Sequence, residues 1–428
     1  MFFTLMGFWC LKYLTDTAGL PAFWAGAAWL IGKAWDAVTD PMMGFISDRT
    51  LTRWGRRRPY LLFGAVPMLL TMAFFFTAPP IENPLLLTLW ATLALMLLNT
   101  AATVTGVPYG SLTPELTDDY HERTSLNGYR FGCAVFGTIL GAALVQPIVD
   151  IFPSSRTGFS MMGFILGAVM MITTLLTFFG TKEKPRRRED LPTRTFFETY
   201  RAVFLNKPYV TLLLIYALNI TGLTLLQTIL SYYIEYVFQR PDMTPLALMI
   251  LLLTAMVFIP VSVLVSKKIG KRKTYQICFA ILASACMIIF FLGHILGLNF
   301  FLGLMVYAGI GVGFGYVAPY AMVPDAIDFD AVKSGERNEG AYYGMWTFIS
   351  KLGSALAGFI SGIILTAGGY VPRAVQSESA LTAIRLITGP LPAVILAGAL
   401  VLAQFYTIDE AAYRKLMEGT KAPSKAPD

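Results

Sequence analysis

The segment Ala22–Ile46 reads AFWAGAAWLIGKAWDAVTDPMMGFI and has the length and apolar content of a helix that crosses a membrane. Two carboxylates, Asp36 and Asp40, nevertheless lie four residues apart within it. A charge near the centre of a bilayer costs about 3 kcal/mol even on insertion scales, so such acids normally face a bundle interior and bind ions, protons or substrate. The segment therefore predicts a membrane protein with a polar site among its helices.

The composition of the whole chain supports the same class. Of the 428 residues, 56% are hydrophobic and 14% are charged, and the mean hydropathy is +0.61. The apolar runs are about 20 to 30 residues long, which suits helices and excludes a barrel of short alternating strands. We therefore predict an all-α integral membrane protein with twelve transmembrane helices, at about 2–18, 22–47, 59–79, 84–111, 124–152, 159–181, 208–238, 245–266, 274–295, 299–326, 339–369 and 381–406.

The basic residues predict the orientation, because they remain on the cytoplasmic side of a membrane. Of the 33 Lys and Arg residues, 25 fall after the even-numbered spans and in the tail, whereas four fall in or next to the opposite set of loops. We predict a multi-pass protein of the cell membrane with a cytoplasmic C-terminus. The net charge of +7 then reflects this topology, and we expect no nucleic-acid partner.

Several other function classes are disfavoured. The four cysteines are scattered through apolar spans without metal-ligand or redox spacing, and the two histidines, His121 and His294, are isolated. The sequence contains no GxxxxGK phosphate loop. We therefore expect no enzymatic activity and no cofactor apart from a coupling ion.

Similar motifs recur in the two halves of the chain. The basic turn GRRR at Gly55 recurs as GKRK at Gly270, and the Pro-Tyr pair that ends in Tyr109 recurs at Tyr320. Features repeated at an offset of about 210 to 215 residues predict two parallel six-helix repeats with a substrate site between the halves. The predicted parts are an N-terminal bundle, a cytoplasmic linker, a C-terminal bundle and a cytoplasmic tail, at 1–181, 182–207, 208–406 and 407–428.

The first predicted span is short. If Lys12–Asp16 corresponds to Ser231–Glu235, the seventh span has about a dozen residues ahead of the point that matches Met1. We expect the natural start to lie upstream and the first helix to be truncated here. The alternative is a first helix of about 17 residues, at the lower limit for crossing a bilayer.

The polar residues inside spans fall at two depths. At about 1.5 Å per helical residue, Asp40 and Thr103 lie about 10 to 12 Å from the cytoplasmic ends of their spans, and Asp36 and Lys351 lie about 16 to 18 Å from theirs. Spacings of three and four residues also place Lys33 on the face of the second span that carries both aspartates. We expect one polar site built from several spans.

Carboxylate and hydroxyl oxygens suit Na⁺, or a proton when one carboxyl group is protonated. We predict a cation site formed by Asp36, Thr39, Asp40 and Thr103, in which the two aspartates are the ligands of a bound Na⁺. The choice between Na⁺ and H⁺ stays open.

Three basic residues inside spans, Lys33, Arg130 and Lys351, balance the two acids. Adding or removing one cation would change which partner each acid holds, which predicts coupling between cation and substrate. The alternative is structural: Lys33 would pair with Asp36 inside one helix, and Lys351 would neutralise Asp40 between helices.

Two further residues are candidates for substrate contact. Arg130 could bind an anionic or hydroxyl-rich group of the substrate, or it could cap the acidic loop ELTDDYHE. Trp346 could present a stacking surface, or it could serve as ordinary packing.

The loop after the second span is a candidate gate. We predict a latch between the second and third spans at the cytoplasmic face, and the alternative is a topology signal alone. The latch residues would be Asp48, Arg49, Gly55, Arg56 and Arg57.

These motifs resemble those of a known family. The loop GFISDRTLTRWGRRRP, around Asp48 and Gly55, resembles the loop-2/3 signature of the major facilitator superfamily. WDAVTDP, around Asp36 and Asp40, resembles the cation motif of the glycoside-pentoside-hexuronide cation symporters, the family of melibiose permease. The stretches VPYGSLTPE, ERTSLNGYRFG, ERNEGAYYG and SKLGSALAG extend the resemblance over nearly the whole chain. The cation motif and VPYGSL are also similar to those of sodium-dependent lysophosphatidylcholine symporters.

The resemblance implies the major facilitator fold and specific residue roles. Lys351 would lie near the junction of the cation and substrate sites, and Arg130 would lie near the substrate. The implied cation ligands are Asp36, Thr39, Asp40 and Thr103.

The chain departs from the melibiose permease pattern at three sugar-binding positions. An acidic residue of the first span would precede Met1, a carboxylate of the fourth span is replaced by Gly106, and a sugar-stacking Trp is replaced by Gly110. Since a sugar needs carboxylate contacts and an aromatic plane, we expect melibiose-like galactosides not to be recognised.

Together these observations predict a secondary active symporter that works as a monomer in the lipid bilayer. It would import an organic solute with Na⁺ or H⁺ by alternating access. The expected cargo is a sugar or glycoside, and the alternative is a lysophospholipid or another amphiphile. A non-transporting receptor of the same fold would not need both Asp36 and Asp40.

Overall fold

The computed structural model describes residues 1–112, 116, 130, 133–134, 136–183, 203–334 and 339–408. Within these residues every regular element is a helix. The helices are α1 (Phe2–Lys12), α2 (Ala22–Arg49), α3 (Arg58–Phe75), α4 (Pro84–Gly110), α5 (Val145–Asp150), α6 (Ser155–Gly180), α7 (Lys207–Tyr232), α8 (Thr244–Ile269), α9 (Lys271–Ile288), α10 (His294–Ser334), α11 (Glu339–Ala367), α12 (Glu378–Thr388) and α13 (Pro390–Leu402).

Local sequence explains where α4 begins and where α10 is broken. Asn83 precedes α4, and its side-chain oxygen accepts hydrogen bonds from the backbone N–H groups of Leu85 and Leu86, at 2.9 and 3.3 Å. Pro84 follows at the first helical position, where no N–H group is needed. A break in α10 lies at Gly297, whose φ of 80° favours glycine, and it falls between the ninth and tenth predicted spans.

Among the described residues, helices α1, α7 and α9 each end in a single π-helical turn, and the turn after α9 covers Ile289–Gly293. The turn after α1 covers Tyr13–Thr17 and contains Asp16, and the turn after α7 covers Tyr233–Val237 and contains Glu235. Such turns are rare and frequently occur at functional sites. Their acids are therefore considered with the functional site below.

Most of the helices match the length and composition of membrane spans. Among the described residues, eight helical stretches are long and apolar enough to cross a membrane: Arg58–Phe75, Pro84–Gly110, Ser155–Gly180, Lys207–Val237, Pro241–Ile269, Lys271–Asp330, Tyr342–Ala367 and Glu378–Phe405. Helix α2 is not one of the eight, and its charged residues lower its hydropathy. The protein is thus a multi-pass membrane protein that is helical in the part of the chain that the structure describes, whereas the count of twelve spans stays a prediction.

The chain divides into two compact units by contact. The first unit contains Met1–Thr193, Thr224–Met249 and Ser354–Ile387, and the second contains Arg194–Leu223, Ile250–Gly353 and Thr388–Asp428. In the first unit α2 packs along α4, and α3 packs against both α4 and α6. In the second unit α9 packs against α10 and α13. The predicted division into two six-helix bundles with a linker and a tail stays a prediction.

Candidate functional site

Helix α4 approaches α2 closely at Gly32. A Cβ atom on Gly32 would lie 2.9 Å from the Cβ atom of Leu95, so glycine is needed at this crossing. The buried Asn99 side chain donates a hydrogen bond of 3.0 Å from Nδ2 to the carbonyl oxygen of Gly32. These contacts fix the register of the two helices and place Thr103, one turn beyond Asn99, next to the acids of α2.

The Thr103 hydroxyl lies between the two aspartates. Its Oγ1 atom is 3.0 Å from Oδ1 of Asp36 and 2.7 Å from Oδ1 of Asp40. A hydroxyl group carries one proton and can donate it to only one of the two carboxylates at a time. A proton on the other carboxyl group, or a cation among the three oxygens, would make all contacts favourable. The arrangement can therefore hold a small cation or a proton.

The burial of Asp36 and the groups around it also support a site for a small cation or a proton. Asp36 is 2% exposed, and its Oδ2 atom lies 3.7 Å from the ammonium of Lys33, three residues earlier on α2. The Thr39 hydroxyl donates to the backbone carbonyl of Asp36 at 3.3 Å, which leaves its lone pairs for another partner. The predicted cation residues thus meet on α2 and α4 within the first unit.

The two other predicted basic residues have different surroundings. Lys351 is buried on α11 and belongs to the second unit. Arg130 donates from Nη1 to the carbonyl oxygen of Gly110 at 3.3 Å, and its guanidinium lies 5.0 Å from the ring centroid of Tyr109. A Cβ atom on Gly106 would meet nothing within 4 Å, so space is open there. Most of the acidic loop ELTDDYHE lies outside the described residues.

Trp346 already has an aromatic partner. Its ring stacks on Tyr216 with centroids 3.7 Å apart and an interplanar angle of 15°, so one face is covered. Tyr320 meets Trp346 edge-to-face at 6.0 Å and is itself 52% exposed. Tyr216 and Tyr320 were missed by sequence reasoning, although Tyr320 belongs to the repeated Pro-Tyr pair.

The basic loop after α2 is held by an acid that follows α6. The Glu183 carboxylate accepts hydrogen bonds from the backbone N–H groups of Arg56, Arg57 and Arg58, at 2.7, 2.9 and 2.6 Å. Gly55 has a φ of 102°, and a Cβ atom there would lie 2.5 Å from Oε2 of Glu183.

The arginine side chains of this loop also have partners. Arg57 donates to the Ser47 hydroxyl, and Arg58 donates to the carbonyl oxygen of Phe178 at 2.8 Å. The loop therefore joins α2, α3 and the end of α6. The side chains of Asp48 and Arg49 lie outside the described residues.

A second buried carboxylate, Asp16, lies in the π-helical turn after α1. It accepts hydrogen bonds from the hydroxyl groups of Thr15, Tyr236 and Tyr370, at 2.6, 2.8 and 2.5 Å. The Tyr232 hydroxyl completes this group, 2.7 Å from that of Thr15. We refer to these five residues as the Asp16 cluster. Sequence reasoning missed it, because its members are far apart in the chain.

An ion pair next to the Asp16 cluster connects the last residue of α1 to the π-helical turn after α7. The Lys12 ammonium pairs with the Glu235 carboxylate and lies 5.5 Å from the centroid of the Trp9 ring. Lys12 is buried, whereas Glu235 is partly exposed. Both turns therefore have a charged group with a defined partner.

Apolar membrane helices with buried acids that share one hydroxyl are typical of a membrane transport protein. The chain belongs to the MFS/sugar transport protein family, whose model matches residues 1–410. This confirms the resemblance to the major facilitator superfamily.

Relatives with named activities extend the comparison. The isoprimeverose transporter of Lactiplantibacillus pentosus is 28% identical over 95% of this chain and 86% of its own length. The sodium-dependent lysophosphatidylcholine symporter 1-A of Danio rerio is 26% identical over 95% of this chain and 83% of its own. A solved structure of proton dependent oligopeptide transporters has a TM-score of 0.68 at 15% identity, covering 97% of this chain and 96% of its own, and shows that the fold is shared.

Proposed function

We propose that this protein is a secondary active symporter that couples inward movement of Na⁺ or H⁺ to import of an organic solute by alternating access. The observation that carries the proposal is the Thr103 hydroxyl within hydrogen-bonding distance of both Asp36 and Asp40. Two acids this close repel each other unless a cation or proton is present, so the occupied site is favoured. Thr39 is proposed as a further ligand.

Charge balance is the proposed basis of coupling. When a cation neutralises Asp36, the attraction that holds Lys33 to this carboxylate weakens, and the partners of the basic residues change. Lys351 and Arg130 are proposed to carry this change to the substrate, and the Arg56–Arg57 loop is proposed to gate access. The protein then binds its substrate with a different affinity when the cation site is occupied than when it is empty.

A sugar or glycoside is the proposed cargo. The named activity of the isoprimeverose relative favours it. A lysophospholipid is the second candidate, because the lysophosphatidylcholine symporter is a relative of similar coverage. In addition, space is open at Gly106, three residues before the partly exposed Tyr109 on α4.

We further propose twelve spans in two parallel repeats, a cytoplasmic C-terminus and a monomeric functional unit. Two paired features support the repeats. Gly55 and Gly270 both have positive φ, at 102° and 88°. The helices α1 and α7 both end in a π-helical turn that contains an acid, Asp16 and Glu235.

The test uses the purified protein in vesicles with a panel of glycosides and lysophospholipids. Uptake of one class should require an inward gradient of Na⁺ or of protons. Replacing Na⁺ by choline at fixed pH, and then changing pH at fixed Na⁺, separates the two ions. Uptake that is equal in Na⁺ and choline and also independent of pH would contradict the proposal.

The shared hydroxyl gives a specific prediction. Thr103→Val keeps the shape of the side chain but removes the hydroxyl, and a hydrogen bond to a charged group contributes about 1.5 to 3 kcal/mol. The concentration of ion that half-activates uptake should rise by about tenfold or more. Thr105→Val is the matched control, since the Thr105 hydroxyl bonds only backbone carbonyl oxygens of its own helix, at 3.0 and 3.2 Å. An equal effect of the two changes would disprove the role of Thr103.

A further inference from the structure

Trp29 connects the helix of the cation site to α11. Its side chain is 3% exposed, and its Nε1–H group donates a hydrogen bond of 2.9 Å to the backbone carbonyl oxygen of Ser354. Both residues belong to the first unit. Because the acceptor is a backbone atom, the bond holds α11 itself rather than one of its side chains.

The two helices are in backbone contact around this bond. A Cβ atom on Gly26 would lie 3.1 Å from the carbonyl oxygen of Gly358, and one on Gly362 would lie 2.5 Å from that of Ala22. A Cβ atom on Gly358 would overlap the Trp29 indole. The indole therefore fills a space that glycine leaves, and it cannot move without moving α11.

The same indole contacts the cation site. The Lys33 ammonium lies 5.4 Å from the centroid of the Trp29 ring and 3.7 Å from Oδ2 of Asp36. A cation over an indole face is attracted by about 0.5 to 2 kcal/mol, more when it is desolvated. A continuous set of contacts thus runs from Asp36 through Lys33 and Trp29 to Ser354.

We propose that Trp29 is a positioning residue that transmits ion occupancy at Asp36 to α11. This inference rests on the cation coupling proposed above. Neutralising Asp36 weakens its hold on Lys33, so the ammonium shifts toward the indole face. The indole then takes a different position, and its bond to Ser354 passes the change to α11. Ser354 lies three residues after Lys351, on the same face of α11.

The experiment measures how the ion changes the environment of Ser354. A Ser354→Cys reporter is made in a Cys133→Ser background, because Cys133 is the exposed cysteine and Cys10, Cys278 and Cys286 are buried. The alkylation rate of the reporter by a small thiol reagent is measured in Na⁺ and in choline, and at low and high pH. In the parent the ion should change this rate by about threefold or more.

Two tryptophan variants separate transmission from packing. Trp29→Phe keeps a ring face for Lys33 but removes the N–H donor to Ser354. The ratio of the alkylation rates with and without ion should therefore fall to about one, while the affinity for the ion changes little. Trp35→Phe is the matched control, since the Trp35 indole on the same helix donates to Thr100 at 2.9 Å and contacts α4. This control should retain the parental ratio.

The outcomes distinguish this inference from the function on which it rests. If Trp29→Phe keeps the parental ratio of alkylation rates with and without ion, the role of Trp29 is overturned while the proposed function stands. The same holds if Trp29→Phe and Trp35→Phe lower this ratio equally. A parental reporter that responds neither to Na⁺ nor to pH, in a protein whose uptake depends on one of them, overturns this inference alone, whereas uptake that depends on neither overturns the proposed coupling as well. Trp29→Leu provides a second variant, which should lower ion affinity as well because Lys33 loses its ring face. A parental ion affinity in Trp29→Leu overturns the role of the ring face and thus the proposal.

Discussion

Asp40→Asn is expected to abolish concentrative uptake while the protein remains folded in the membrane. The amide has nearly the volume of the carboxylate and can still bond Thr103, but it provides no charge for a cation. Losing one charged partner in a partly buried site costs about 3 kcal/mol, or about a hundredfold in ion affinity. Uptake against a gradient should therefore stop, as measured with the identified cargo in vesicles.

Two further variants sharpen this test. Asp36→Asn should be more damaging, because Asp36 is almost fully buried and also holds Lys33. Asp150→Asn is the control, since that carboxylate is exposed and bonds the Gln146 side chain at 2.7 Å. Accumulation by Asp40→Asn at the parental level would show that the cation binds elsewhere.

Gly55→Ala is expected to lower both the thermal stability and the transport rate strongly. Alanine at a φ of 102° is strained by about 1 to 3 kcal/mol. Its Cβ atom would also displace the Glu183 carboxylate, which would then lose the hydrogen bonds that it accepts from the backbone N–H groups of the loop. The two effects together should exceed about 2 kcal/mol. The midpoint of thermal unfolding and the initial rate of uptake measure them.

Two comparisons isolate the contribution of Glu183. Gly270→Ala carries similar strain, at a φ of 88°, but its Cβ atom would meet nothing within 4 Å, so it should cost less. In a Glu183→Ala background, Gly55→Ala no longer displaces a carboxylate, and the double variant should lose less stability than the sum of the single variants. Strict additivity would mean that Glu183 does not hold the loop.

The fold class and the local part of the site could be predicted from the sequence. Long apolar runs identify membrane helices, and the spacing of Lys33 and Asp36 predicts their contact within one helix. The distance of each residue from the end of its span predicts Thr103 at the depth of Asp40. In the structure the Thr103 hydroxyl also lies within hydrogen-bonding distance of Asp36, because the close approach of α2 and α4 at Gly32 fixes the position of α4 along α2.

Contacts between distant parts of the chain could not be predicted in this way. The bond from Tyr370 to Asp16 joins residues 354 positions apart, and the Glu183 contacts span more than 120 positions. Neither residue type nor spacing encodes such pairs, since they depend on how whole helices pack. Glu183 also lies between Lys182 and Lys184 and just before Arg186–Arg188, so its surroundings resemble an ordinary topology signal.

The π-helical turns after α1 and α7 could each also be wound as α-helix. A π-helical turn accommodates one residue more than an α-helical turn, so rewinding either one into α-helix would rotate the residues beyond it by about 100°. Asp16 would then turn away from Tyr236 and Tyr370, and Glu235 would turn away from Lys12. A slip of one residue would thus release the bond from Tyr236 to Asp16 together with the ion pair between Glu235 and Lys12.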